Sequence, residues 1–198
     1  MSSLKLKRVA LVGRPNVGKS TLFNRLTRTR KAVVRDERGV TRDIQIEPVE
    51  WWGKNFEVVD TGGLTDEKEG FSPYIREAVT DFLRFVDLVV FIVDGRDGIT
   101  HEDRDAFRVV AAVNKPYVVV VNKCDKTIEA DQYLSEFYEL GQDLIPAAFE
   151  QDFGIDTTVE WILSQLGDDT AVEREGFRLA ILGKPNAGKS SLCNRLLG

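Results

Sequence analysis

The sequence predicts a three-layer α/β fold, in which helices cover both faces of a mostly parallel sheet and one antiparallel hairpin lies at its edge. Two patterns lead there. Apolar runs (VALVG, FEVVD, LVVFIVD, YVVVVNK, LIPAAF) alternate with longer amphipathic stretches (STLFNRL, PYIREAVTDFLRF, EDRDAFRVVAAV, QYLSEFYEL, TVEWILSQL). The runs are nearly continuous in Val, Ile and Leu, as expected of strands buried on both faces, and the stretches between them supply the crossover helices. The other pattern is IQIEPVEWWGKNFEVVD, where two strand-like halves meet at a short Gly-Lys-Asn turn with no helix between them.

Taken in order, VALVG is a strand that runs into a glycine-rich loop, and STLFNRL is the helix after it. In the hairpin, Trp51 and Trp52 are adjacent and so face opposite sides of their strand, one packed and one partly exposed. LVVFIV is the longest apolar run, far too short to span a membrane, and it reads as a central strand. The N-terminal MSSLKLKRVALV lacks the apolar length of a secretory signal. From Gly167 to Gly176, GDDTAVEREG is acidic and without period, and it reads as a linker. The expected units are therefore 1–166 as one domain, 167–176 as linker and 177–198 as the start of a second domain.

That second unit is visible as a repeat. GRPNVGKSTLFNRL begins at Gly13 and GKPNAGKSSLCNRL at Gly183, a spacing of about 170 residues, which suits a duplicated domain rather than a solenoid. The chain is expected to end inside the first strand–loop–helix unit of the second copy.

Bulk properties exclude several classes. Of the 198 residues 42% are hydrophobic and 30% charged, with a net charge of −5, so nothing in the overall balance calls for DNA or another polyanion as partner. Cys124 and Cys193 are the two cysteines, too few for a disulfide framework and consistent with a reducing, cytoplasmic setting. No segment suggests a membrane.

The chemistry begins at Gly13–Ser20, which fits G-x-x-x-x-G-K-S after a strand and before a helix. Glycines let backbone N–H groups turn inward around phosphate oxygens, and the helix N-terminus adds a favourable dipole. Lys19 would reach the β- and γ-phosphates, and the Ser20 hydroxyl would ligate Mg²⁺. Gly183, Lys184, Pro185, Asn186, Ala187, Gly188, Lys189 and Ser190 repeat the loop, where an anion could sit.

A phosphate loop alone leaves kinases, ATPases and GTPases open. NKCD at Asn122–Asp125 follows the strand YVVVV, at a carboxyl edge where ligands bind in such sheets. The Asp125 carboxylate only accepts hydrogen bonds, so it matches a base edge with two N–H donors, as guanine has, and repels adenine. Asn122 can bridge loops or meet the other purine edge, and the Lys123 stem can lie along the ring face. DTGG ends the strand FEVV, with Asp60 suited to the Mg²⁺ shell and the Gly63 N–H to a γ-phosphate oxygen. Thr41, in RGVTRD, can ligate Mg²⁺ only when the γ-phosphate holds its loop closed, which would make a switch.

These motifs, in this order and spacing from Lys7 to about Leu166, resemble the translation-factor-type P-loop GTPases. The tandem copy narrows the resemblance to the bacterial Der/EngA family. That resemblance implies a P-loop GTPase fold, GTP hydrolysis with Mg²⁺, GTP and GDP as ligands, and a part in assembly of the large ribosomal subunit, hence that subunit or its RNA as partner. It also implies a remainder beyond residue 198, namely the rest of a second GTPase domain and a KH-like domain. The nucleotide-binding set carried over is Gly13, Arg14, Pro15, Asn16, Val17, Gly18, Lys19, Ser20 and Thr21, then Asp60, Thr61, Gly62, Gly63 and Leu64. Asn122, Lys123, Cys124, Asp125, Ala148 and Phe149 complete it. Lys19, Thr41 and Gly63 are the catalytic candidates, and Ser20, Thr41 and Asp60 the Mg²⁺ ligands.

Two positions stand out against this pattern. Ala148 and Phe149 take the place of the family's Ser-Ala pair, whose backbone N–H supports the guanine oxygen. A hydroxyl is lost and a ring added that could loosen or reshape base binding; the alternative is a harmless substitution, since a backbone contact tolerates a change of side chain. Leu64 stands where many small GTPases carry the glutamine that orients the attacking water. Asn16 offers another source of help, since the resemblance implies that an asparagine there helps hold K⁺ against the phosphates; bracing of the loop is the alternative.

Other residues read more plainly. His101, the single histidine, is a solvated helix start, and Cys124 a small residue filling its loop. The arginine-rich RLTRTRKAVVRDERGVTRD is either a solvated loop or a surface for ribosomal RNA.

Overall fold

The computed structural model describes residues 6–27, 45–62, 79–124 and 134–167. Thr41, Gly63, Leu64, Asp125, most of the arginine-rich stretch, the linker after Gly167 and the whole second phosphate loop lie outside the described residues.

Six strands form one sheet in the order β2-β3-β1-β4-β5-β6. They are β1 (Arg8–Val12), β2 (Gln45–Trp51), β3 (Lys54–Asp60), β4 (Leu88–Asp94), β5 (Tyr117–Asn122) and β6 (Leu144–Pro146). Every neighbouring pair is parallel except β2 with β3. Three α-helices are bounded within the described residues, α1 (Lys19–Thr27), α2 (His101–Ala112) and α3 (Ile155–Leu166), and residues 79–83 are also helical. The predicted layers are all present.

Strand alternation divides the core in two. On one face Val9, Leu11, Val90, Ile92, Val118 and Val120 pack with Leu22, Phe23 and Leu26 of α1 and Val159 and Ile162 of α3. On the other, Ala10, Val12, Phe91, Val93, Val119 and Val121 pack with Ala106, Val109 and Val110 of α2 and with Val79 and Leu83. All seven residues of β4 are buried, which explains why LVVFIVD shows no polar alternation. Burying one such Phe or Ile contributes about 1.5–3 kcal/mol.

The structure departs from the sequence expectations at three places. Within QYLSEFYEL, Ser135–Leu140 form a 3₁₀ helix, where Phe137 and Leu140 are both buried. A spacing of three matches three residues per turn, so the tighter helix puts both side chains on the core side. Of LIPAAF only Leu144–Pro146 is strand; Ala148 forms an isolated antiparallel bridge with Phe153, and Phe149–Gln151 is a 3₁₀ turn between them.

The hairpin turn is also displaced from the expected Gly-Lys-Asn. Trp51 pairs with Lys54, leaving Trp52 and Gly53 as a two-residue loop with φ of 48° and 78°. Positive φ at both positions is the type I′ pattern, whose twist matches the strands. Trp51 packs on the core, whereas Trp52 is 61% exposed, its ring edge-on to Trp51 with centroids 6.4 Å apart. Trp is a poor residue for left-handed backbone and Asn a good one. Trp52→Asn is therefore expected to raise stability by about 0.5 kcal/mol, after loss of the ring contact. A thermal melt checks this, and a fall in midpoint would count against the strain.

Helix α2 begins with a full capping box. The Thr100 hydroxyl accepts from the Asp103 N–H at 3.2 Å, and the Asp103 carboxylate accepts from the Thr100 N–H at 3.0 Å. His101, beside it, is exposed with its imidazole 3.5 Å from Asp105, as expected of a solvated helix start.

Candidate phosphate and base site

The strand order places β1 between β3 and β4, so the chain after β1 emerges where crossovers leave in opposite directions, and a crevice opens at the carboxyl ends of the strands. Gly13 follows β1, while Asp60, Asp94 and Asn122 close β3, β4 and β5. A cavity of about 570 Å³ lies there, lined by Pro15, Asn16, Gly18, Lys19, Ser20, Thr21, Gly62, Asn122, Lys123, Cys124, Ala148 and Phe149. Motifs 100 residues or more apart thus share one wall. Arg96, Glu150 and Gln151 line it too, without any motif to mark them.

At the phosphate end the loop from Gly13 to Gly18 wraps tightly. Gly13 approaches the Ile92 carbonyl so closely that a Cβ would stand 2.2 Å from its oxygen. Asn16 is left-handed at φ 65° and faces the cavity. Lys19 is 5% exposed, and its ammonium donates to the Gly13 and Arg14 carbonyls at 2.8 Å each. Burial pushes that ammonium from its ordinary 10.5 down to about 8, with Asp60 pulling it up and Arg14 adding to the fall.

Ser20 and Asp60 meet here, the hydroxyl donating to the carboxylate at 2.9 Å, while the other Asp60 oxygen accepts from the Gly62 N–H at 2.8 Å. A hydroxyl and a carboxylate in contact at the end of a phosphate loop are hard oxygen donors, which fit Mg²⁺. Thr61 is turned away, its hydroxyl donating to the Leu11 carbonyl at 2.7 Å, so it fastens β3 to β1 instead of facing the cavity.

At the base end Asn122 takes the bridging role of the two left open by the sequence. Its Nδ2 donates to the Val17 carbonyl at 2.7 Å and its Oδ1 accepts from the Phe149 N–H at 3.0 Å, both buried. One side chain therefore ties the phosphate loop, β5 and the loop after β6. Val17 is itself fully buried and serves that loop as a core anchor. Cys124 is buried as expected, with its N–H on the Ala147 carbonyl at 2.9 Å, and burial raises its thiol above the ordinary value. Ala148 spends its N–H on the Phe153 carbonyl at 3.1 Å.

The Phe149 ring packs into the core beside the cavity that the residue also lines. Phe149 is 1% exposed and belongs to the core under the phosphate loop, where a Cβ on Gly18 would touch it at 3.4 Å. The loop after β6 is held from α1, where Arg25 pairs with Asp152 at 2.9 Å and donates to the Glu150 carbonyl at 3.3 Å.

Sequence reading also missed how Arg14 is held. Its guanidinium pairs with Asp97 and lies 3.4 Å from the fully buried Asp103 carboxylate of the α2 cap. The charge of Arg14 is thereby committed away from the cavity. No local pattern announces that partnership, because its members come from three separate elements.

Comparison with known proteins places this geometry. The family described as 50S ribosome-binding GTPase matches residues 8–123 and again 178–198, that is, both copies of the repeat. The chain is 46% identical over 96% of its length to a protein named GTPase Der from Sulfurihydrogenibium sp. (strain YO3AOP1), and 42% identical over 96% to one of that name from Persephonella marina. It spans about 45% of the length of each. Among solved structures it is similar to Era from Aquifex aeolicus bound to GDP·AlF4⁻, with a TM-score of 0.65, 28% identity, and 83% of this chain and 58% of that one covered. It is also similar to Era in complex with MgGDPNP and a fragment of 16S ribosomal RNA, with a TM-score of 0.65, 27% identity, and 90% and 60% covered. With both its fold and its phosphate loops accounted for, the chain belongs to the 50S ribosome-binding GTPase family.

Proposed function

We propose that this chain is the GTP-binding and GTP-hydrolysing switch unit of a cytoplasmic protein that acts in assembly of the large ribosomal subunit. The observation that carries the reading is the Asn122 bridge, which joins the phosphate loop to the base-end loop around one cavity. The family description supports the ribosomal part, with the large subunit or its RNA as partner, and the GTPase Der relatives support the GTPase part.

In this reading Gly13–Thr21 cradle the phosphates, Lys19 leaves the Gly13 and Arg14 carbonyls for the β/γ-phosphates, and Asp125 reads guanine. Ser20, Asp60 and Thr41 hold Mg²⁺, which when bound offsets developing negative charge. Thr41 and Gly63 report the γ-phosphate to the switch segments. Asn16 helps hold K⁺. A second reading, favoured by Leu64, is a nucleotide-gated binding module with negligible unaided turnover.

Single-turnover GTP hydrolysis with Mg²⁺, in KCl and in NaCl at matched ionic strength, separates the two. Hydrolysis at least about tenfold faster in potassium, with the response lost in Asn16→Ala while GTP still binds, is the outcome expected of a cation-assisted enzyme. Tight binding with slow hydrolysis in both salts would establish the module instead.

The Lys19 environment adds a pH prediction. The ammonium is the form that meets phosphate, and phosphate restores its basicity, so binding above pH 8 must take up a proton. GDP affinity should hold steady up to about pH 7.5 and fall about tenfold between pH 7 and 9. Calorimetry at pH 8.5, in buffers of different ionisation enthalpy, should register about 0.7 proton taken up per GDP. A flat affinity across that range would contradict the assignment.

A further inference from the structure

Asp94 closes β4 and belongs to none of the phosphate or base motifs, yet it is only 4% exposed. One oxygen accepts from the Lys123 ammonium at 2.6 Å and the other from the Arg96 N–H at 3.0 Å. The backbone around it is tied to the base motif as well, since Asp94 pairs with Asn122 across the β4–β5 ladder and the Gly95 N–H donates to the Asn122 carbonyl at 2.7 Å. Burial pushes the Asp94 carboxyl up, but the hydrogen bonds from Lys123 and Arg96 and the charges of Lys123 and Arg14 win and hold it below its ordinary value.

Lys123 occupies a costly position. Its φ is 64°, a left-handed conformation that glycine adopts freely and a lysine adopts at a penalty. What the position retains in return is a side chain, and that side chain both lines the cavity and ends on Asp94. An ammonium held there is committed away from the phosphate end, where Lys19 already supplies the positive charge. Its stem is then left to act as a wall.

We propose that Asp94 is a positioning residue for the base, anchoring the Lys123 ammonium so that the lysine stem stands as a fixed apolar wall against the ring. The proposal rests on reading the cavity as a guanine-nucleotide site. A free lysine stem must be ordered when the ligand binds, whereas an anchored one has lost that freedom already.

The test uses the 198-residue chain and a fluorescent GDP analogue, with displacement by GDP and by inorganic pyrophosphate. Asp94→Asn keeps the shape and an acceptor for Arg96 but removes the charge, and should weaken GDP about tenfold through faster dissociation. Asp94→Glu should recover most of that loss, and pyrophosphate, which has no base, should bind as before. Placed on Lys123→Met, whose stem needs no anchor, Asp94→Asn should cost less than about twofold. The double variant carries neither charge, so its GDP affinity against the parent remains informative if Asp94→Asn alone does not melt cooperatively. GDP affinity within twofold in Asp94→Asn, or the same loss with and without Lys123→Met, or an equal loss for pyrophosphate, would overturn the proposal. A parent chain that binds no GDP at all overturns the nucleotide-site reading itself, and this inference with it.

Discussion

Replacing Asn122 with alanine is expected to lower stability by about 3 kcal/mol and GDP affinity by about a hundredfold. The side chain makes two buried hydrogen bonds, to the Val17 carbonyl and from the Phe149 N–H. Removing it strands both backbone groups in a water-poor place, and each stranded group costs about 1–3 kcal/mol. The affinity loss has a separate origin, because the loops at the two ends of the cavity lose their common strut. A thermal melt should show a midpoint lower by about 6–12 °C, and nucleotide titration should show the weakened binding. A variant that melts normally and still fails to bind would mean that Asn122 acts on the ligand alone.

The second large effect comes from Gly18→Ala. A Cβ at this position would stand 2.3 Å from the Asn122 Nδ2, and the backbone is at φ 107°, which disfavours any side chain. Displacing Asn122 and straining the loop should together cost about 3 kcal/mol and abolish measurable nucleotide binding. The same substitution in an Asn122→Ala background meets no amide, so only the backbone strain remains. The two changes together should therefore destabilise by about 1–2 kcal/mol less than the sum of their separate effects. Denaturant melts of the single and double variants measure the difference. Additivity within about 0.5 kcal/mol would show that the glycine is needed for its φ and not for the space it leaves.

The layers and the phosphate loop were legible because their signals are local. A Val-rich run such as YVVVV carries its burial in its own composition, and the Gly13–Ser20 spacing contains the whole of its geometry. What lay beyond reading is held by pairs distant along the chain. Asp94 looks like an ordinary strand-ending aspartate until β4 and β5 bring it to Lys123. Arg14 looks like a phosphate-loop cation until Asp97 and Asp103 engage it. The place of Phe149 in the motif is visible from sequence, while the burial of its ring depends on the core beneath Gly18. The hairpin turn was misplaced for a milder reason. Gly53 marks a turn, but strand register decides whether it is the first or the second residue of it, and here Trp52 precedes it.

The Asn122 bridge also constrains when the site can come into being as the chain folds. One of its hydrogen bonds spans 105 positions and the other 27, and the Arg25 contact with the Glu150 carbonyl spans 125. Loops of that length close only after much of the sheet has paired, since the entropy of closure must be met by contacts already made. A growing polypeptide possesses its whole phosphate loop by residue 21, yet the strut that steadies it has no second attachment until Phe149 has been added and β6 has docked. Nucleotide capture should therefore lag behind synthesis of the loop by well over a hundred residues. On a series of chains lengthened from the N-terminus, the onset of tight GDP binding would mark the moment at which the sheet is complete.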